Sequence, residues 1–153
     1  MRVVISVLAF CALAACSPKL PDGVDQQALD DAVANAVGSP STCVVVESND
    51  GKTVYRYGSH TTCARSLPAC DAPGLTTIDV QLDAARKGIS RAASCDTAEE
   101  ASRGVAWASG PLPALEGKPD RKMVYAVFME GADALSGREA KRRLEAAFAK
   151  TGF

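Results

Sequence analysis

From 123 to 129 the chain reads Met-Val-Tyr-Ala-Val-Phe-Met, apolar at every position. A short run of this kind, closed by turn residues, predicts a central strand buried on both faces. Elsewhere the apolar positions are one-sided. Val24, Ala28, Leu29, Ala32, Val33, Ala36 and Val37 recur at intervals of three and four, which predicts a helix over 24–37. Asp22 is placed to cap it, and Gly38 then Pro40 to stop it. Leu75, Ile78, Leu82 and Ala85 predict a second helix over 75–87, with Thr76 or Thr77 as its cap and Gly88 as its end. Ser136-x-x-Glu139 has the spacing of a capping box. It opens a last helix with Ala140, Leu144, Ala147 and Phe148 inward and Gly152 as the stop.

The remaining elements read as strands and loops. Residues 42–47 are rich in β-branched side chains, Ser48-Asn49-Asp50-Gly51 is a turn, and 53–57 is the returning strand of a hairpin. Residues 58–74 have no period and contain Pro68 and Pro73, which predicts a loop. Weak alternation over 89–95 and the run 104–109 around Trp107 add two strands, and 110–120, with three prolines, is a loop. Sequential antiparallel strands with helices before, between and after them predict an α+β domain. Its sheet should have about five strands, flanked by N-terminal, middle and C-terminal helices.

The N-terminus carries a different pattern. After Arg2, residues 3–15 are unbroken by charge. A bilayer-spanning helix needs roughly 20 apolar residues, so this run is too short. A basic start, a short apolar core and small residues before Cys16-Ser17-Pro18 read as a secretory signal over 1–15. Leu13-Ala14-Ala15-Cys16 resembles the lipobox of bacterial lipoproteins at all four positions. The resemblance implies cleavage between Ala15 and Cys16, with Cys16 as the first mature residue and the site of lipid attachment. Ser17 after the cysteine is similar to an outer-membrane sorting signal. Residues 16–23 then form a short tether, and 24–153 a single domain.

Four further cysteines, Cys43, Cys63, Cys70 and Cys95, lie in that domain. An even number in an exported chain predicts two disulfides. Zinc sites use cysteine pairs about two to four residues apart, and no such pair occurs. Three connectivities are open. Cys43–Cys63 with Cys70–Cys95 is preferred, because the first would close the foot of the hairpin.

Charge and catalytic patterns narrow the function. The formal net charge is −1, with no block of one sign, which argues against a nucleic-acid partner. Lys141-Arg142-Arg143 is the densest basic run and reads as the solvated face of the last helix. His60 is the only histidine, and a Ser-His-Asp arrangement needs a nucleophile, a base and an orienting acid converging in space. Ser59, Thr62 and Ser66 are its nearest candidate partners, while Asp50, Asp71 and Asp79 are scattered. No phosphate-binding glycine loop or metal-ligand spacing is present, and no cofactor is expected. Tyr55, Tyr57 and Trp107 are the aromatics to consider for a ligand surface.

The succession of elements is similar to the α/β half of serine β-lactamases and penicillin-binding proteins. Arg103-Gly104-Val105-Ala106-Trp107-Ala108-Ser109-Gly110, then 124–129, then the last helix carry that likeness. The family's Ser-x-x-Lys is missing, and Lys150-Thr151-Gly152 falls at a helix end rather than on a strand. The same order of elements is similar to profilin-like and roadblock-like binding modules. The expectation is therefore a membrane-anchored envelope lipoprotein with a non-catalytic binding or scaffolding domain, held by its acyl group and able to meet an envelope protein. The alternative is an envelope hydrolase, or a reduced penicillin-recognising relative, with a site near His60.

Overall fold

The doubly apolar run at 123–129 becomes β7, Met123–Gly131, the middle strand of a five-stranded antiparallel sheet in a computed structural model that describes residues 19–97 and 103–153. In chain order the elements are α1 (Gln26–Val37), β1 (Cys43–Ser48), β2 (Thr53–Tyr57), α2 (His60–Cys63), β3 (Leu67–Pro68), β4 (Leu75–Thr76), α3 (Ile78–Arg86), β5 (Arg91–Asp96), β6 (Gly104–Pro111), β7 and α4 (Gly137–Thr151). The sheet order is β2-β1-β7-β6-β5, and β3 and β4 form a separate two-residue ladder. The predicted α+β class, the five strands and the three flanking helices are all present.

Strand geometry sends alternate side chains to opposite faces. Met123, Tyr125, Val127 and Met129 of β7 join Val44, Val46, Ala106 and Ala108 beneath α1 and α4. Val124, Ala126 and Phe128 join Val45, Val105 and Trp107 beneath α3. The molecule is thus three layers with two half-cores, and β7 belongs to both.

Each helix is placed by its cap and its stripe. Asp25, not Asp22, caps α1, and its carboxylate accepts the Ala28 N–H at 2.7 Å. Leu29, Val33 and Val37 are buried, whereas Ala28 is exposed, so the stripe is narrower than predicted. The second helix starts three residues later than its predicted start at 75, because Leu75–Thr76 is held extended against Leu67–Pro68 and Thr77 makes the cap. Leu75 is 70% exposed instead of lying on the inner stripe. Ser136 caps α4 by accepting from Glu139 N at 3.3 Å, and Gly152, at φ 72°, ends it in the left-handed conformation that glycine adopts freely. The reciprocal half of the capping box is not made: the Glu139 carboxylate accepts instead from Arg142 and Arg143. Phe153 turns back into the core, with its ring 5.3 Å from Phe148 and 5.8 Å from Tyr55.

The segment predicted as a plain loop, 58–74, is more ordered than its sequence suggests. Ser59 caps the single turn of α2, and Cys63 and Leu67 are buried.

At its entry α4 meets the backbone of β5 and β6 closely. A Cβ added to Gly137 would overlap the Ala93 carbonyl and lie 2.7 Å from both Ala93 N and Trp107 O. Helix propensity alone favours alanine over glycine by about 1 kcal/mol. Overpacking of this kind costs about 1–3 kcal/mol, so Gly137→Ala should lower the urea midpoint, and a midpoint that rises would contradict the packing.

Candidate functional site

Three arrangements could carry function: the stapled side of the sheet, the surroundings of His60, and the concavities of the helical side.

On the α3 side, two disulfides fix what the loop alone could not. Cys43–Cys63 ties the start of β1 to the end of α2, with Cα atoms 5.1 Å apart. Cys70–Cys95 ties the loop to the edge strand β5, with Cα atoms 5.4 Å apart. This is the preferred pairing from the sequence, and it accounts for all four cysteines of the domain. Trp107 lies under this strap. Its indole N–H donates to Ala69 O at 3.1 Å, and Arg91, paired with Asp71 at 2.6 Å, sits 5.2 Å from its ring centre. Beside it runs a buried polar relay that the helical period did not reveal. Ser109 Oγ donates to Gln81 Oε1 at 3.0 Å, and Gln81 Nε2 donates to Thr76 Oγ1 at 2.9 Å. Each member is buried and bonded, as a polar group away from water must be. Gln81 occupies an inward position of α3 that any helical wheel assigns to the core.

The three aromatics do not make a ligand surface. Trp107 is fully buried on the α3 face and Tyr55 is buried on the opposite face, so burial overturns that expectation. Tyr57 is half-buried at the sheet edge. Large aromatic rings at these strand positions pack the two half-cores rather than meeting a partner.

His60 begins α2 and is exposed. Its Nδ1 faces Arg56 Nη1 at 3.5 Å, a cation where an orienting carboxylate would be needed. Ser59 Oγ and Thr62 Oγ1 bond to one another at 2.8 Å as part of the helix cap. Among the described residues, the convergence required for a hydrolase at His60 is absent.

The other side offers a groove between α1 and α4 of about 310 Å³. Ala32, Ala36, Ala146 and Ala147 form its floor, and Arg142, Arg143 and Lys150 its rim. Small side chains leave the space, and every charged group that lines it is cationic. Glu139 accepts from Arg142 Nε at 2.9 Å and Nη2 at 2.7 Å, and from Arg143 Nε at 2.6 Å. Those bonds hold its carboxyl at about 2. Two further hollows, of about 570 and 330 Å³, flank β5. One is lined by Ser94, Ser136 and Arg138, the other by Ser94, Asp96 and Leu135.

Below this face two phenols are locked by carboxylates. Tyr55 donates to Asp30 at 2.9 Å and Tyr125 to Glu145 at 2.6 Å. Burial first, and then the bond to the carboxylate, pushes both hydroxyls well above the ordinary phenol range.

Cys16, Ala15 and the rest of the lipobox lie outside the described residues. Leu20 is already half-buried against the α1–α4 half-core. Among the described residues no helix is long and apolar enough to cross a membrane. No protein-family model matches the chain, and no match is found among curated proteins or solved structures.

Unreduced peptide mapping should recover Cys43 with Cys63 and Cys70 with Cys95, and neither pair alkylated. Replacing one pair by serine should lower stability by about 2–4 kcal/mol, whereas quantitative alkylation of either native pair would contradict the strap. The phenols give an alkaline counterpart. A group whose folded pKa is raised contributes stability below its unfolded value and loses it as pH rises. The domain should therefore lose stability above pH 10, the ordinary value for tyrosine, and the phenolate absorbance of Tyr55 and Tyr125 should appear only with unfolding. Full ionisation of all three tyrosines before the unfolding transition would refute this.

Proposed function

We propose that this chain is a lipoprotein of the bacterial cell envelope, carried at the membrane surface by Cys16, whose folded domain binds or scaffolds another envelope component. The observation that carries the reading is the partition of the cysteines. Four of the six are joined in disulfides within the domain, and the other two, Cys11 and Cys16, both fall in the N-terminal segment. Paired cysteines belong to oxidising compartments, and the secretory pattern of 1–15 supplies the route to one. Cys16 sits in the lipobox-like Leu13-Ala14-Ala15-Cys16, where its thiol would take a diacylglyceryl group and its amine, after cleavage at Ala15, an acyl chain.

Anchoring follows from chain number. Each buried methylene contributes about 0.8 kcal/mol, and one acyl chain alone holds only marginally, so two or three make attachment stable. Ser17 favours the outer membrane, with the domain on its periplasmic face. From Cys16 to Leu20 the chain spans at most about 14 Å, which keeps the domain against the bilayer. That closeness, together with the polar relay and aromatics being committed to the core, favours contact over catalysis.

The reading is tested on the chain purified from membranes. The N-terminal peptide should begin at Cys16 and carry the mass of a diacylglyceryl group plus an acyl chain. Cys16→Ser should leave an uncleaved precursor. An unmodified Cys16 peptide in the wild-type protein would overturn the assignment.

A further inference from the structure

We propose that the groove between α1 and α4 seats on the anionic lipid headgroups of the bilayer that holds the anchor. The inference rests on the lipoprotein reading for where the membrane is, and on the groove's own chemistry for what it binds. The chain as a whole carries a net charge of −1, yet the charged residues lining this groove are Arg142, Arg143 and Lys150. Asp25 caps α1 and Asp30 in its middle accepts from Tyr55, while the exposed Asp31, one turn before Asn35 of the groove, is not among the lining residues. Read from the sequence, the basic run is only a solvated helix face. Its convergence with Lys150 over a hollow of alanines is a property of the fold.

The guanidinium groups are held and only partly used. Glu139 engages Nε and Nη2 of Arg142 and Nε of Arg143. Among the described residues no acceptor is bonded to Nη1 of Arg142, to either Nη of Arg143, or to Nζ of Lys150. Guanidinium is planar, permanently charged and suited to the paired oxygens of a phosphodiester. The alanine floor matches the methylenes just below a headgroup.

The described chain begins on the same side. Leu20 packs on the half-core that α1 and α4 cover. The near end of the groove, Ala32, lies six residues along the helix from Gln26, about 9 Å. A leash of about 14 Å from Leu20 to Cys16 therefore brings the groove down onto the leaflet instead of the opposite, disulfide-strapped face.

The test uses lysine acetylation of the lipidated chain in vesicles of phosphatidylcholine alone or with phosphatidylglycerol. Lys150 reports the groove and Lys87, the last residue capping α3, reports the far face. Phosphatidylglycerol should slow acetylation of Lys150 severalfold, leave Lys87 unchanged, and lose its effect in high salt. A cation near an anionic surface contributes about fivefold in affinity, so Arg142→Gln and Arg143→Gln should each return Lys150 toward its rate on neutral vesicles. Equal Lys150 rates on both vesicles, or protection that survives both substitutions together, would overturn the proposal. So would protection without vesicles, whether from inorganic phosphate (a free anion) or from rising protein concentration (a second copy). An unacylated chain beginning at Cys16, coupled through that thiol to a maleimide-bearing lipid in the same vesicles, must show the same protection. Loss of the acyl mass with protection intact then defeats only the anchor, and acylation without protection defeats only the groove.

Discussion

The side chains of β7 leave alternately for two different cores, and neither core can form without the strand. Tyr125 and Val127 complete the layer under α1 and α4, while Ala126 and Phe128 complete the layer under α3. A strand enclosed on both faces must be central, and must be covered by helices on either side. The positions of β1 and β6 beside it follow, as does the need for three helices in a small chain. What differs between the two faces is how each is held. The α1–α4 face closes by helix packing and by Phe153, Phe148 and Tyr55 against one another. The α3 face has a single substantial helix, and covalent bonds complete it.

That asymmetry explains which parts were legible in the sequence. The run at 123–129 announced its own position, because nothing but a central strand tolerates apolar residues at every place. Ser136, Glu139 and Gly152 marked α4 because caps are local chemistry. The hairpin and the disulfide pairing were legible for the same reason, since the turn at 48–51 places Cys43 near the return of the chain. Leu75 was misplaced because its extended state depends on pairing with Pro68, a contact that no local pattern encodes. Gln81 gave no signal although it is buried at an inward position, because its partners Thr76 and Ser109 come from two other elements. Trp107 and Tyr55 looked available for a ligand until tertiary packing enclosed them. The cationic groove was the least legible feature. Its rim is on α4 and half its floor is on α1, so it exists only once the helices meet.

The two faces also divide the work that the chain could do. On the strapped face the groups beneath the loop are engaged: Trp107 with Ala69, Arg91 with Asp71, Gln81 with both hydroxyls. The helical face keeps unspent donors over a hollow and lies next to the segment that leads to Cys16. On the proposed lipid anchor, so short a leash would leave little freedom in which face turns to the bilayer, and the unspent donors would select the helical one.

One sheet supports two separately closed half-cores, one by packing and one by disulfides. Residue-resolved hydrogen exchange with and without reductant measures that division directly. On reduction, amides of α2, β3, β4 and the start of α3 should lose protection, while those of β7 and α4 keep theirs. Equal loss across β7 and α4, or no change around α2, would contradict the division.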